Sequence, residues 1–279
     1  QVKLGNIAMP KVLTDKQLAQ WKRDGAVWPV ELLTAEEAAD YSQRFENLET
    51  HMGAEAQSKF RIKAHLPFPW LWDLVTHPRL ADTIEDLLGP DIVCWGSSFF
   101  TKKAHDPRFI SWHQDSTYYG LEPPESITAW VAFTRANALS GCMKIIPGSH
   151  QGDAILPHEE TFEENNLLSR GQTIRDIREA EAVEMPLEPG QMSIHHNKTI
   201  HSSEPNNADW PRVGFAIHFA ASNVRQAKFA NPLAIHIRGE DPNGNWIEDP
   251  RPEYELSPES VAACEDYCKR YRSAIMAQM

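Results

Sequence analysis

From Asp91 onwards, the sequence is a succession of short segments rich in β-branched and aromatic residues, each bounded by turn residues such as Pro147-Gly148 and Pro189-Gly190. This texture predicts strands, and several short strands at such spacing are typical of a β-sandwich or barrel. The six predicted strands span residues 92–102, 109–115, 126–134, 142–146, 191–200 and 213–220.

The first third of the chain is instead predicted to be mainly helical. Thr14 is followed three residues later by Gln17, and Thr34 by Glu37. Both pairs are capping boxes, in which the side chains of the first and fourth residues satisfy backbone N–H groups at a helix start. Residues 78–88 form a third predicted helix.

We therefore expect one domain over residues 1–279, mainly β with flanking helices. Its predicted parts are a helical N-terminal part over about 1–90, a β core over about 91–222 and a C-terminal extension over 223–279 that ends in a closing helix. A polar, Glu-rich insertion at 151–182 interrupts the core, and long insertions of this kind often form lids or binding loops.

Composition and charge argue against binding to nucleic acid or to membranes. The formal net charge of −12 opposes a general affinity for nucleic acid or anionic membranes, which attract clustered Lys and Arg. The same charge is mildly compatible with a neutral, zwitterionic or cationic small molecule. The N-terminus lacks a signal-peptide pattern and no apolar run reaches a membrane span, so a soluble protein is expected.

The cysteines point to a reducing compartment. Four of them are too few and too scattered for a disulfide framework, and a cytoplasmic location is therefore expected. Cys264 and Cys268 lie four residues apart in the predicted closing helix, where they share one face. Small buried residues are the favoured interpretation of this pair, and a two-thiol metal clip is the alternative.

The segment Trp112-His113-Gln114-Asp115 contains the first candidate metal ligands. Side chains two apart on a strand point to the same face, so His113 and Asp115 can converge on one ion. An imidazole and a carboxylate are two parts of the facial triad of two histidines and one carboxylate, which leaves coordination positions open for reactants. A strand-end histidine bonded to a nearby aspartate is the structural alternative.

A third ligand is sought around residues 190–206, where His195, His196 and His201 compete. Strand alternation alone does not choose among them. The place of His201 at a strand end, with Arg212 opening the returning strand, favours it. A guanidinium there can pair with the far carboxylate of a dicarboxylic co-substrate, although an ordinary ion pair would also explain Arg212.

Taken together, the HxD motif at 113–115, the Pro-Gly-Ser-His turn at 147–150 and the His-Ser-Ser-Glu-Pro-Asn run at 201–206 with a downstream arginine resemble the phytanoyl-CoA dioxygenase family. The resemblance covers roughly residues 90–222. It implies a double-stranded β-helix (a cupin-like jelly-roll) with Fe(II) at one open end, 2-oxoglutarate as co-substrate, and dioxygen.

The resemblance also implies roles for individual residues. His113, Asp115 and His201 become the iron ligands, and Arg212 binds the distal carboxylate of 2-oxoglutarate. Because relatives that halogenate lack the carboxylate ligand, Asp115 favours hydroxylation or another oxidation of a substrate C–H bond, with succinate and carbon dioxide released. The residues predicted to line the co-substrate site are Ser203, Trp130, Thr134 and Lys102.

The substrate is expected to be a small polar metabolite or natural-product intermediate. The residues predicted to contact it are Tyr118, Tyr119, Trp112, His65 and Lys63. An acyl-CoA or lipid substrate of the same reaction class is an alternative, as are a non-catalytic jelly-roll binding protein and a hydrolytic zinc enzyme. The hydrolytic alternative gives Arg212 no role.

Overall fold

The computed structural model describes residues 10–53, 56–152, 155–168 and 170–276. The helices are α1 (Asp15–Asp24), α2 (Ala35–Met52), α3 (Ala56–Lys59), α4 (Pro69–Val75), α5 (Pro78–Leu88), α6 (Ser116–Tyr119) and α7 (Pro258–Met276). The strands are β1 (Ala26–Glu31), β2 (Ile92–Phe99), β3 (Ile110–His113), β4 (Leu121–Glu122), β5 (Ile127–Ala132), β6 (Met143–Ile145), β7 (Glu159–Glu160), β8 (Gln172–Thr173), β9 (Val183–Glu184), β10 (Gln191–His196), β11 (His201–Ser203), β12 (Gly214–Ala221), β13 (Arg225–Gln226), β14 (Leu233–Arg238) and β15 (Ile247–Glu248).

Two sheets form the body of the protein. The major sheet has seven strands in the order β1-β10-β5-β12-β2-β14-β15, and the minor sheet has four in the order β3-β11-β6-β9. The pairings are antiparallel except for β14 with β15. The order of strands along each sheet differs from their order in the chain, as jelly-rolls require. The predicted fold class, a mainly β jelly-roll with flanking helices, is confirmed.

The major sheet has one apolar face and one face that carries polar groups, because successive side chains of a strand alternate. Along β10, Met192 and Ile194 belong to the main hydrophobic core, in which the helical N-terminal part packs on the sheet. Ser193 and His195 point to the opposite side, where they line a cavity. Strands β5 and β12 alternate in the same way, so one face builds the core and the other the site.

The capping signals in the N-terminal part are confirmed. Both capping boxes form with their reciprocal hydrogen bonds, Thr14 with Gln17 at α1 and Thr34 with Glu37 at α2. At the end of α1, Gly25 has φ 74°, a left-handed conformation that favours glycine, and its N–H donates to the carbonyl of Trp21.

The β structure extends beyond the predicted core. The N-terminal part contributes β1, whose Ala26 pairs with His195 of β10, and the C-terminal extension contributes β14, whose Ile235 pairs with Cys94 of β2. The predicted strand 191–200 ends early, as β10 at His196, and β11 begins just beyond the predicted range at His201 in the other sheet. A turn between them carries the chain from the major to the minor sheet.

The described part of the insertion is structured and packs on the minor sheet. Its strands β7 and β8 pair with each other, the N–H of Leu167 donates to the carbonyl of Phe109, and the N–H of Ile174 donates to that of Trp112. In the described part of the chain, no helix is long and apolar enough to cross a bilayer.

A buried polar network ties the C-terminal extension to the rest of the fold. The Nζ of Lys63 lies 2.6 Å from Oδ2 of Asp249 and donates to the carbonyl of Leu233 at 2.7 Å. His65 bonds the same Oδ2 through Nε2 at 3.0 Å and Ser97 through Nδ1. Burial alone would raise the pKa of Asp249, but the Lys63 charge and the His65 hydrogen bond lower it. Each member therefore depends on the others for its charge or hydrogen bonds.

Replacing Asp249 by Ala should destabilise the fold by roughly 3–5 kcal/mol, because the Lys63 ammonium would remain buried without a counter-charge. The free energy of unfolding from urea titration measures the effect. The matched control is Asp73→Ala, which removes the partner of Arg251 from an exposed ion pair and should cost less than about 1 kcal/mol. Equal losses in the two variants would contradict the structural role of the network.

Candidate active site

The minor sheet brings two histidines face to face. Strands β3 and β11 are antiparallel neighbours with His113 directly opposite His201, and the two imidazole centroids lie 4.1 Å apart. Asp115 follows β3 by two residues and turns towards the same point. The ligand atoms of these three residues all lie within 4.8 Å of one another, so the described chain contains a group that can hold one metal ion.

The two imidazoles are held with Nε2 directed to this point. Nδ1 of His113 lies 2.9 Å from the carbonyl of Ser111, and Nδ1 of His201 lies 2.9 Å from that of Thr199. A carbonyl only accepts, so each Nδ1 carries the hydrogen and each Nε2 presents a lone pair. Burial and the proximity of His113 and His195 lower the pKa of His201 well below its usual value, which keeps this ring neutral as a metal ligand requires.

Asp115 contacts three imidazoles. Its Oδ1 lies 3.3 Å from Nε2 of His113 and 3.8 Å from Nε2 of His201, while Oδ2 lies 3.4 Å from Nε2 of His195. Burial alone would raise the pKa of Asp115, but these neighbouring histidines hold it well below its usual value. The carboxylate is therefore ionised at neutral pH.

The structure places the three histidines that were candidates for the third ligand position in different surroundings. His195 lies on β10 in the major sheet and approaches the second oxygen of Asp115, outside the group of three. His196 points to the other face of β10, where Nε2 bonds Oε2 of Glu125 at 2.7 Å. His201 alone among them shares the minor sheet with His113.

Arg212 is buried in the same cavity without a carboxylate partner in the described residues. One terminal nitrogen donates to the carbonyl of Gly141, the Nε has no partner, and the guanidinium lies 5.4 Å from the Trp130 ring. Burial lowers the pKa of Arg212 to about 10, so it remains charged at neutral pH. A Cβ at Gly214 would lie 1.9 Å from the Trp130 ring, so glycine is needed for this packing.

Lys102 and Ser203 form a pair beside Arg212. The Nζ of Lys102 donates to Oγ of Ser203 at 2.7 Å and to the carbonyl of Glu204. Burial and the Arg212 charge lower the pKa of Lys102 to about 6. Ser203 lines the cavity, whereas Lys102 lies behind it. Thr134 does not line the cavity either, because its hydroxyl bonds the backbone at Pro211 and Val213.

The site opens into a cavity of about 540 Å³ between the two sheets. His113, Asp115, His201 and Arg212 all line it. Much of its wall is apolar, and the side chains concerned come from the minor sheet, the segments that adjoin the strands, the insertion and the N-terminal part. They are Ile62, Phe100, Ile110, Met143, Leu167, Leu168, Met185 and Leu187.

Of the residues predicted to contact the substrate, the structure places some in the cavity and others outside it. Tyr119 lines the cavity, whereas Trp112 packs with Ile174 and Ile200 away from it. Lys63 and His65 do not line the cavity, because Asp249 holds both in the buried network described above. The side chain of Tyr118 lies outside what the structure describes.

Several cavity residues were not anticipated from the sequence. Thr128, Ser193 and His218 reach it from the major sheet, and Arg61 and Arg272 reach it from outside the sheets. Period-two alternation on β5, β10 and β12 is a signal that could have found the first three. No local pattern marks Arg61 or Arg272, since they come from distant parts of the chain.

A jelly-roll with two histidines, one carboxylate and a buried arginine in one cavity defines the class of non-haem metal oxygenases. The comparison with known families agrees. Residues 21–214, more than half of the chain, match the family described as phytanoyl-CoA dioxygenase (PhyH). The chain belongs to the phytanoyl-CoA dioxygenase family.

Curated proteins with related names are similar to part of this chain. A probable phytanoyl-CoA dioxygenase of Caenorhabditis elegans is 26% identical over 164 residues, which are 56% of this chain and 52% of the relative. A probable alpha-ketoglutarate-dependent hypophosphite dioxygenase of Stutzerimonas stutzeri is 29% identical over 165 residues, 57% of this chain and 56% of the relative. The matched region thus spans about half the length of these curated relatives.

Solved structures extend the likeness to nearly the whole chain. The apo form of the non-heme monooxygenase ThoJ is 31% identical, with a TM-score of 0.81 over 93% of this chain and 97% of ThoJ. CytC3, solved with Fe(II) and alpha-ketoglutarate, has a TM-score of 0.65 at 22% identity and covers 90% of this chain and 98% of CytC3. The likeness to CytC3 supports the fold alone.

Paired substitutions distinguish His201 from His195 as the third ligand. His201→Gln should lower the affinity for Fe(II) by more than roughly 100-fold, because a ligand is lost. His195→Gln removes only a neighbour of Asp115 and should have a smaller effect, of roughly tenfold, at the lower end of what losing a residue behind a ligand costs. Anaerobic competition with a chromogenic chelator measures both affinities. The reverse order would assign the ligand role to His195.

Proposed function

We propose that this protein is an Fe(II)- and 2-oxoglutarate-dependent dioxygenase that hydroxylates a C–H bond of a small polar metabolite or natural-product intermediate. The observation that carries the proposal is the presence, in one cavity, of the His113-Asp115-His201 group and a buried Arg212 without a carboxylate partner in the described chain. Relatives named for alpha-ketoglutarate dependence or phytanoyl-CoA dioxygenase activity support the same reaction class.

His113, Asp115 and His201 hold the metal. Both imidazoles are fixed by Nδ1–H donation to backbone carbonyls, so Nε2 of each needs no reorientation on metal binding. His195 approaches Oδ2 of Asp115 and thereby favours Oδ1, the atom nearer to both histidines, as the ligand oxygen. Two imidazoles and one carboxylate suit Fe(II) and leave positions for reactants.

Arg212 and Ser203 bind the distal carboxylate of 2-oxoglutarate. The buried guanidinium lacks a counter-charge among the described residues, and a carboxylate would supply one with charge-assisted hydrogen bonds. Because Lys102 already donates to Oγ of Ser203, the hydroxyl hydrogen of Ser203 is directed elsewhere and can donate to the same carboxylate. Trp130 packs against Arg212 and fixes its place.

When bound with 2-oxoglutarate and dioxygen, Fe(II) supplies the oxidation that converts the substrate C–H to C–OH while 2-oxoglutarate yields succinate and carbon dioxide. The chain supplies a shielded pocket and orientation. Its apolar wall excludes water from the reacting atoms, and Tyr119 is an aromatic residue of the wall that interacts with Asp115. Burial and the Asp115 charge raise the pKa of Tyr119 well above its usual value, so the phenol stays protonated and can donate a hydrogen bond.

Asp115 also bears on the type of oxidation. A halogenating relative leaves the carboxylate position free for a halide, whereas this chain fills that position with a side chain that contacts both histidines. Hydroxylation is therefore proposed in preference to halogenation.

Anaerobic addition of Fe(II) and 2-oxoglutarate to the protein should produce a visible metal-to-ligand charge-transfer band. In the Arg212→Gln variant, the 2-oxoglutarate concentration for half-maximal band intensity should rise roughly 100-fold, since a buried carboxylate would lose its counter-charge. Its affinity for Fe(II) alone should change little, because Arg212 is not a ligand.

Arg135→Gln is the matched control, since Arg135 is exposed and paired with Glu188. It should leave the half-saturation concentration unchanged. Absence of the band in folded, Fe(II)-loaded wild-type protein would refute the proposed function, and a normal band in Arg212→Gln would refute the assigned role of Arg212.

A further inference from the structure

Two arginines from outside the sheets line the cavity that contains the metal site. Arg61 follows α3, and Arg272 belongs to α7 near the C-terminal end of the described chain. The two segments are in contact, because Sγ of Cys268 on α7 donates to the carbonyl of Arg61 at 2.6 Å. Arg272 is exposed and Arg61 half-buried, so this part of the cavity wall reaches solvent.

Neither guanidinium has a carboxylate partner among the residues that the structure describes. Arg61 donates to the carbonyl of Leu167 at 3.3 Å and Arg272 to that of Ser58 at 3.2 Å. Both side chains line the same cavity, and burial and the charge of Arg272 lower the pKa of Arg61. Arg170, a third arginine of the wall, is instead paired with Glu160.

Two adjacent cations with no counter-ion are unfavourable unless solvent or a ligand compensates them. Guanidinium groups match the geometry of carboxylate and phosphate oxygens and form charge-assisted hydrogen bonds with them. The cavity wall next to these arginines in the sequence is apolar. Ile62 follows Arg61, and Leu167, whose carbonyl accepts a hydrogen bond from Arg61, is followed by Leu168. A ligand of this region therefore has an anionic group next to an apolar body.

We propose that Arg61 and Arg272 form a subsite that binds a carboxylate or phosphate group of the substrate while an apolar part of the same molecule extends towards the metal. This inference rests on the proposed function, which it deepens by naming the substrate class as an amphipathic anion. Binding of the anionic group at the subsite holds the substrate in an orientation that places the C–H bond to be oxidised near the metal.

Hexanoate and hexyl phosphate are suitable probes, with hexanamide and hexylamine as neutral and cationic counterparts. Each is titrated by anaerobic calorimetry into the Fe(II)-loaded protein with saturating 2-oxoglutarate, so that Arg212 is already occupied. The anions should bind roughly tenfold more tightly than hexanamide, as expected for a charge-assisted pair. Arg272→Gln should remove most of this preference, and Arg272→Glu should reverse it in favour of hexylamine.

Arg251→Gln is the control, because Arg251 is an exposed arginine outside the cavity wall. It should retain the full anion preference. Arg61→Lys, which keeps the charge but not the planar fork, should retain part of it. Since Arg272 is exposed, its variants should unfold at the wild-type temperature, which a thermal scan checks.

The same samples separate this inference from the proposed function. If the charge-transfer band forms but anions and hexanamide bind equally, or the preference survives in both Arg272 variants, the subsite is refuted and the proposed function stands. If the band is absent while the anion preference depends on Arg272, the subsite stands and the proposed function is refuted.

Discussion

The pairing of β3 with β11 is the interaction on which the site depends. It places His113 opposite His201 and lets Asp115, two residues further, reach the same point. Strand β6 pairs with the other edge of β11, with Ile145 opposite His201, and so holds β11 in register. Because side chains alternate, a slip of one residue would turn His201 away from the cavity and remove a ligand. The metal site is thus a consequence of strand register.

The turn between β10 and β11 makes this pairing possible. Asn197 is fully buried, its side chain donates to the carbonyl of Pro124, and Gln114 donates to the carbonyl of Lys198. These contacts hold the turn against the HxD motif itself and against the segment that precedes β5. The turn moves the chain from the major to the minor sheet, so His195 approaches Oδ2 of Asp115 from one sheet and His201 approaches Oδ1 from the other.

The charge inside the cavity differs from the charge of the whole protein. The chain has a formal net charge of −12, yet its cavity wall contains Arg61, Arg212 and Arg272 without carboxylate partners among the described residues. Net charge governs long-range steering, whereas recognition depends on the few groups that a ligand touches. The net charge of the chain therefore does not describe the charge of the cavity wall.

Local signals allowed much of this protein to be predicted from its sequence. Capping boxes and strand alternation depend on neighbouring residues, and the structure reproduces them. His113 and Asp115 do converge, but Asp115 lies beyond the end of β3 with helical φ and ψ of −62° and −34°, and not on the same strand as predicted. The choice of His201, the burial of Lys63 and His65 by Asp249, and the approach of Arg272 to Arg61 depend on contacts between distant segments. No local pattern determines such contacts, because they follow from sheet register and from the packing of the C-terminal extension. The sequence by itself thus determined the type of chemistry, and only the tertiary structure decided which side chains surround it.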